Sequence, residues 1–146
     1  MVGQIAKISG CRTIGIAGGP EKCAWLKDDV GYDEAIDYKN DDVKQALKDH
    51  CGGQVNVFFD NVGGDILNYS LANLAMHARV GICGGISRYE RGQMPAGPEN
   101  YFNLIFMRAS MTVFIVLDYM SEYPKAQKRM RQWIREGRIT YKEDIQ

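Results

Sequence analysis

The chain has 146 residues and a mass of 16.4 kDa, the size of one ordinary domain, with 45% hydrophobic, 25% charged and 10% aromatic residues. Such a composition excludes a disordered, collagen-like or coiled-coil chain. Eighteen Lys and Arg balance eighteen Asp and Glu, so no net field draws the chain to nucleic acid or to an anionic membrane.

Val2, Ile5 and Ala6, closed by Gly10, predict a short amphipathic helix with no N-cap in front of it, which suggests further sequence upstream. Residues 13–17 read as a buried strand running into Gly18-Gly19, with Pro20 suited to the first helical position and Glu21 to a positive helix start. Cys23, Leu26 and Val30 mark one face of the helix that follows, and Gly31 ends it. A short strand over 34–37 leads to the polar cap Asn40-Asp41-Asp42. Val43, Ala46, Leu47 and His50 recur at helical spacing up to Gly52-Gly53. Residues 55–59 form an apolar strand entering the turn Asp60-Asn61-Val62-Gly63-Gly64, in which Asp60 is expected to stabilise the turn. Ile66, Leu67, Ser70, Leu71 and Leu74 make the next helical stripe. A buried strand over 79–83 ends in Gly84-Gly85 and a long connection holding Gly92, Pro95, Gly97 and Pro98. A short helix over 103–108 and a strand over 111–116 follow. Ala126, Met130, Trp133 and Ile134 then mark an amphipathic helix ending at Gly137.

Strands alternating with helical crossovers predict a parallel sheet with helices on both faces, in which ligands bind beyond the carboxyl ends of the strands. Four strands end in suitable turns: Gly18-Gly19, Tyr38-Lys39, the 60–64 turn and Gly84-Gly85-Ile86-Ser87. Cys11, Cys23, Cys51 and Cys83 contain no CxxC pair and are expected to be reduced core thiols of a cytoplasmic protein with no metal site. Apolar runs fall short of the ~20 residues of a membrane span. His50 and His77 are expected in a helix or a turn, and the cluster Lys125, Lys128, Arg129, Arg131, Arg135 and Arg138 as a solvated helix face rather than a nucleic-acid surface.

Five linked segments carry a resemblance: Gly18-Gly19-Pro20-Glu21-Lys22, residues 32–39 (Tyr-Asp-Glu-Ala-Ile-Asp-Tyr-Lys), Phe59-Asp60-Asn61-Val62-Gly63-Gly64, residues 78–89, and residues 136–145. Taken in order they resemble the zinc-independent branch of the medium-chain dehydrogenases/reductases, specifically the NADPH-dependent 2-alkenal, prostaglandin and curcumin reductases. The resemblance implies a Rossmann-like α/β fold, a doubly wound parallel sheet lacking its first strand and glycine-rich turn. Residues 1–146 would then be a partial NADP-binding domain, the substrate domain being absent from this chain.

An NAD site usually places a carboxylate at the second strand's end to hold the ribose 2′-hydroxyl, and here Gly18-Gly19 stands in its place. The resemblance gives Lys22 and Tyr38, beside Gly18, the 2′-phosphate of NADP(H). It gives Asn61 a contact on the ribose or nicotinamide side, where the residue type alone equally suits a turn. Cys83, Gly84, Gly85, Ile86, Ser87, Arg88 and Tyr89 resemble the loop lining the nicotinamide, with Gly85 where many relatives carry alanine. Phe114, Ile115 and Val116 resemble the nicotinamide-side wall, although core packing is equally expected of them. Tyr89 matches the tyrosine beside the transferred hydride and is the candidate catalytic residue. The implied partners are a small-molecule enone or enal and a second copy of the chain, paired through the strand from Met111 to Leu117. A catalytically silent nucleotide-binding or dimerisation module is the alternative, and a methyltransferase-like domain would leave Lys22 with Tyr38 unexplained.

Overall fold

The computed structural model describes residues 1–88 and 97–143. The chain divides into two compact units, Met1–Asp41 with Tyr119–Gln146 and Asp42–Asp118.

In the first unit, helix α1 (Val2–Ile8) is followed by Gly10, whose φ of 84° reverses the chain. Strand β1 (Ile14–Ala17), helix α2 (Pro20–Asp28) and strand β2 (Glu34–Asp37) form a parallel β-α-β unit, in register from Ile14 opposite Glu34 to Ala17 opposite Asp37. Pro20 opens α2 and Glu21 lies in its first turn, where the missing N–H and the positive helix end favour each. Ile36 and Ile139 are buried. The buried amide of Gln4 donates to the Thr140 carbonyl and accepts from the Thr140 N–H, at 2.9 and 2.8 Å, fastening the segment after the last helix onto α1. That helix, numbered α6 below, carries its basic residues exposed to solvent as expected.

In the second unit, the Asp42 carboxylate caps α3 (Val43–Cys51) by accepting from the Gln45 N–H, and left-handed Gly52 ends the helix. Strands β3 (Val55–Asp60), β4 (Leu74–Ile82) and β5 (Ser110–Val113) form a parallel sheet in that order. Helix α4 (Gly64–Leu71) connects the first pair and α5 (Asn103–Phe106) precedes β5; α6 spans Tyr123–Arg135 in the other unit. Leu71, Leu74, Ala78 and Val80 make the buried core, with Phe58, Leu67, Leu104 and Met107 packed against it. Full burial of each large aliphatic side chain contributes about 1.5–3 kcal/mol.

The parallel strands thus stand in two sheets, β1-β2 and β3-β4-β5, rather than in one. Among the described residues no strand pairs with the second edge of β1 or with that of β3. Leu74 begins β4 instead of closing the helical stripe, because Ala72 and Asn73 turn the chain and Asn73 presents its carbonyl to the Val55 N–H. His77 is neither helical nor in a turn: it sits within β4 at a φ of 61°, where the six residues of β4 from Leu74 to Arg79 run beside only three of β3, from Val55 to Val57. β5 stops at Val113 because β4 ends at Ile82, and only the Phe114 N–H continues the ladder, to the Ile82 carbonyl. None of the cysteines is a core residue. Cys11 and Cys83 are exposed, each on a loop, and Cys23 and Cys51 are half-buried on helices, the Cys23 thiol turned toward the Ala17 carbonyl of β1.

Candidate functional site

The carboxyl ends of β1 and β2 carry the first group of predicted residues. Gly18 follows β1 directly, and the Tyr38 ring lies so close over it that a Cβ on Gly18 would stand 2.8 Å from three ring and hydroxyl atoms. Only glycine lets the ring take that position without displacement. The Tyr38 N–H donates to the Ala17 carbonyl at 3.0 Å, while its side chain is 49% exposed and its hydroxyl has no partner among the described residues. Lys22 is exposed on the first turn of α2 and forms no ion pair among the described residues. Glycine turn, helix start, free ammonium and free phenol thus occupy one end of the unit and suit an anion.

Asp37 holds this end together. Its buried carboxylate accepts the Gly19 N–H at 2.8 Å, the Lys39 N–H at 3.0 Å and the Asn40 side-chain amide at 2.6 Å. These donors, the Gly19 N–H foremost, hold the Asp37 carboxyl below its usual range. Burial, together with the Asp37 and Asp41 charges, raises the thiol of nearby Cys23. Asp37 was not among the residues singled out from the sequence. A signal for it was there, because two strand segments, 34–37 and 55–60, each end in an aspartate just before a polar turn.

Asp60 is the corresponding residue in the second unit. Its carboxylate, 2% exposed, accepts from Val62 N–H at 2.8 Å and Gly63 N–H at 3.0 Å, holding the turn as expected. Gly63 and Gly64 both have left-handed φ, 73° and 59°, which lets the turn enter α4 directly. The segment after β4 lies along this turn. Cys83 N–H donates to the Asp60 carbonyl, Ile86 N–H to that of Asn61 and Ser87 N–H to that of Val62, at 2.8, 3.0 and 3.1 Å. The Ser87 hydroxyl also donates to the Val62 carbonyl. A Cβ on Gly84 would come within 3.3 Å of the Asn61 carbonyl oxygen, so the two loops are in backbone contact there.

The unit thereby brings Asn61, Cys83, Gly84, Gly85, Ile86 and Ser87 together at the strand ends. The Asn61 side chain is exposed and makes no hydrogen bond with the described residues. The Phe114 ring packs on Phe59 with centroids 6.0 Å apart, whereas Ile115 and Val116 lie past the end of β5, exposed to solvent. Arg88 closes a short 3-10 turn, Ile86–Arg88. Tyr89 lies outside the described residues. An open cleft of about 340 Å³ elsewhere, along α6, is lined by Pro124, Gln127, Lys128, Arg131 and Arg135 and by none of the residues above.

Comparison with known proteins finds relatives along almost the whole chain. The chain is 41% identical to (+)-pulegone reductase of Mentha piperita over 99% of its own length and 42% of that relative's. It is 40% identical to the NADP(+)-dependent 2-alkenal reductase of Nicotiana tabacum, again over 99% and 42%. CurA of Vibrio vulnificus in complex with NADPH superposes with a TM-score of 0.90 at 40% identity, over 99% of this chain and 44% of that one. The chain therefore spans less than half the length of the relatives it matches. The α/β order of parallel strands and connecting helices is that of the Rossmann-like domain in such proteins. The sequence profile described as zinc-binding dehydrogenase matches residues 1–132, and the chain belongs to that family.

Proposed function

We propose that residues 1–146 are the partial NADP-binding domain of an oxidoreductase that reduces the C=C bond of an α,β-unsaturated carbonyl compound by hydride transfer, with the substrate domain outside this sequence. The carrying observation is the end of β1. No carboxylate follows it, the Tyr38 ring rests on Gly18, and the Lys22 ammonium is unpaired among the described residues. A ribose 2′-hydroxyl finds no acceptor of the usual kind there, whereas a 2′-phosphate finds a cation, a phenol and a helix N-terminus. The NADPH complex of CurA supports the choice of cofactor.

In this reading Lys22 and Tyr38 hold the 2′-phosphate. Asn61 and the backbone of Gly84, Gly85, Ile86 and Ser87 hold the nicotinamide and its ribose, whose wall is formed by Cys83, Phe114, Ile115 and Val116. The glycines suit that task, because Gly84 already touches the Asn61 backbone and any larger residue would fill the space. Bound NADPH supplies a hydride for the substrate's β-carbon. Tyr89 would donate a hydrogen bond to the carbonyl oxygen and supply the proton that the α-carbon of the resulting enolate takes up. Tyr89→Phe in the longer enzyme lowers turnover far more than NADPH affinity; the opposite pattern removes Tyr89 from the chemistry.

The family's name invites a zinc ion, but the donors do not fit one. Among the described residues no three His, Cys, Asp or Glu side chains cluster as a metal site, and no step is assigned to a metal. No described helix is long and apolar enough to cross a membrane. A second copy of the chain is the proposed protein partner. β5 is exposed along its length, and Val113, Ile115 and Leu117 are 72, 60 and 65% exposed, an edge that pairing would cover. Light scattering that finds only monomer refutes the pairing.

Titration of the chain with NADPH and, in parallel, NADH tests the reading. Selective binding of NADPH is the expected result. A folded chain that binds both alike refutes the assignment of Lys22 and Tyr38, and one that binds neither shows that the cofactor site needs the missing first strand and glycine-rich turn.

A further inference from the structure

We infer that Asp37, which touches no ligand in this reading, is the positioning residue that sets the preference for a 2′-phosphorylated nucleotide. The inference rests on the proposed cofactor site and adds the element that builds it. One buried carboxylate ties two turns. Its Oδ1 accepts from the Gly19 N–H, at the start of α2, and from the Lys39 N–H, just past Tyr38. Its Oδ2 accepts from the Asn40 side chain. The Asp37 N–H in turn donates to the Asp41 carboxylate at 2.8 Å, closing the second turn on itself.

Asp37 stands opposite Ala17 in the parallel register, so it is the last paired residue of β2, just as Ala17 is of β1. From there its side chain crosses to the glycine turn instead of pointing beyond the strands. Three consequences follow. Gly19 is held at a φ of 98°, from which Pro20 begins α2 and presents Lys22. The backbone on either side of Tyr38 is pinned, by Ala17 on one side and Asp37 on the other, which lays the ring over Gly18. The carboxylate is also occupied by three donors, so it is not offered to a ribose hydroxyl. A strand-end acid that would favour the unphosphorylated nucleotide if it faced the ligand instead braces the site against it.

The experiment compares the NADPH-to-NADH affinity ratio of the chain, by calorimetry, for the unsubstituted protein, Asp37→Ala and Asp37→Asn. Alanine removes every acceptor and is expected to lower the ratio at least about tenfold with NADH affinity unchanged. Asparagine keeps one oxygen for the Gly19 and Lys39 N–H groups and is expected to restore the ratio to within about threefold. Asn40→Ala, an exposed change that frees only Oδ2, is expected to lower the ratio about threefold and decides the matter if Asp37→Ala does not fold. An unchanged ratio in Asp37→Ala, or in Asn40→Ala where the former is unfolded, overturns the inference. So does a parallel loss of both nucleotides, which a purely structural role would produce. A lack of NADPH preference in the unsubstituted chain instead overturns the cofactor reading, and the inference with it.

Discussion

Gly18→Ala perturbs the phosphate end of the proposed site while leaving the rest of the unit alone. Gly18 does not have a left-handed φ, so alanine brings no backbone strain. Its Cβ would lie 2.8 Å from Cε1, Cζ and the hydroxyl oxygen of Tyr38, where ordinary contact is 3.4–4 Å, so the ring must retreat. The shift needed is about 1 Å. Tyr38 is 49% exposed and can swing outward, which limits the loss of folding stability to about 1 kcal/mol. The hydrogen bond proposed from Tyr38 to the phosphate, worth about 1.5–3 kcal/mol, would be lost, so NADPH affinity is expected to fall roughly tenfold to hundredfold. NADH has no 2′-phosphate and keeps its affinity. Calorimetric titration reads both nucleotides, and urea unfolding of the same preparation checks the fold. A ratio within about twofold of that of the unsubstituted chain, with the fold intact, refutes the placement of Tyr38 on the phosphate.

Leu71 is fully buried in the core of the second unit, and Leu71→Ala is expected to cost about 2–5 kcal/mol, read as an earlier urea transition. Gly52 ends α3 at a φ of 54° with only the Lys48 carbonyl, 3.9 Å away, near a substituted Cβ. Gly52→Ala therefore costs about 1 kcal/mol of backbone strain and no packing, in the same assay. Asp33 is held down to about 2 from the ordinary 3.8, first by Lys7, 2.5 Å away, and then by the Thr13 N–H. A carboxyl whose folded value is depressed contributes stability above its unfolded value and loses it as pH falls. The urea midpoint of the unsubstituted chain should thus exceed that of Asp33→Asn above pH 3.8, the two converging toward pH 2. A gap that stays constant across that window refutes the ion pair.

Much of the fold was legible because glycine, proline and caps mark the element ends locally. Gly10, Pro20, Asp42 and Gly52 each act within one turn of chain, and the structure places a helix end at each. Where spacing misled, two periods shared a residue. Leu74 continues the stripe of α4 yet satisfies the alternation of β4, and what separates them is the Asn73 carbonyl bonding to Val55, a contact between distant residues. The bulge at His77 and the early end of β5 have the same origin, since each depends on how far a neighbouring strand extends.

For the site, the sequence by itself determined which chemistry was present: a strand end without a carboxylate, a lysine after it, and glycine turns after three strands. These are properties of residue type and order, and the resemblance rested on them. Only the tertiary structure decided what holds those turns. Asp37 and Asp60 are acids in polar turns when read along the chain. Folding draws them inward because the N–H groups of turning backbone need acceptors once they leave water, and a strand-end carboxylate is the nearest group able to satisfy two of them at once.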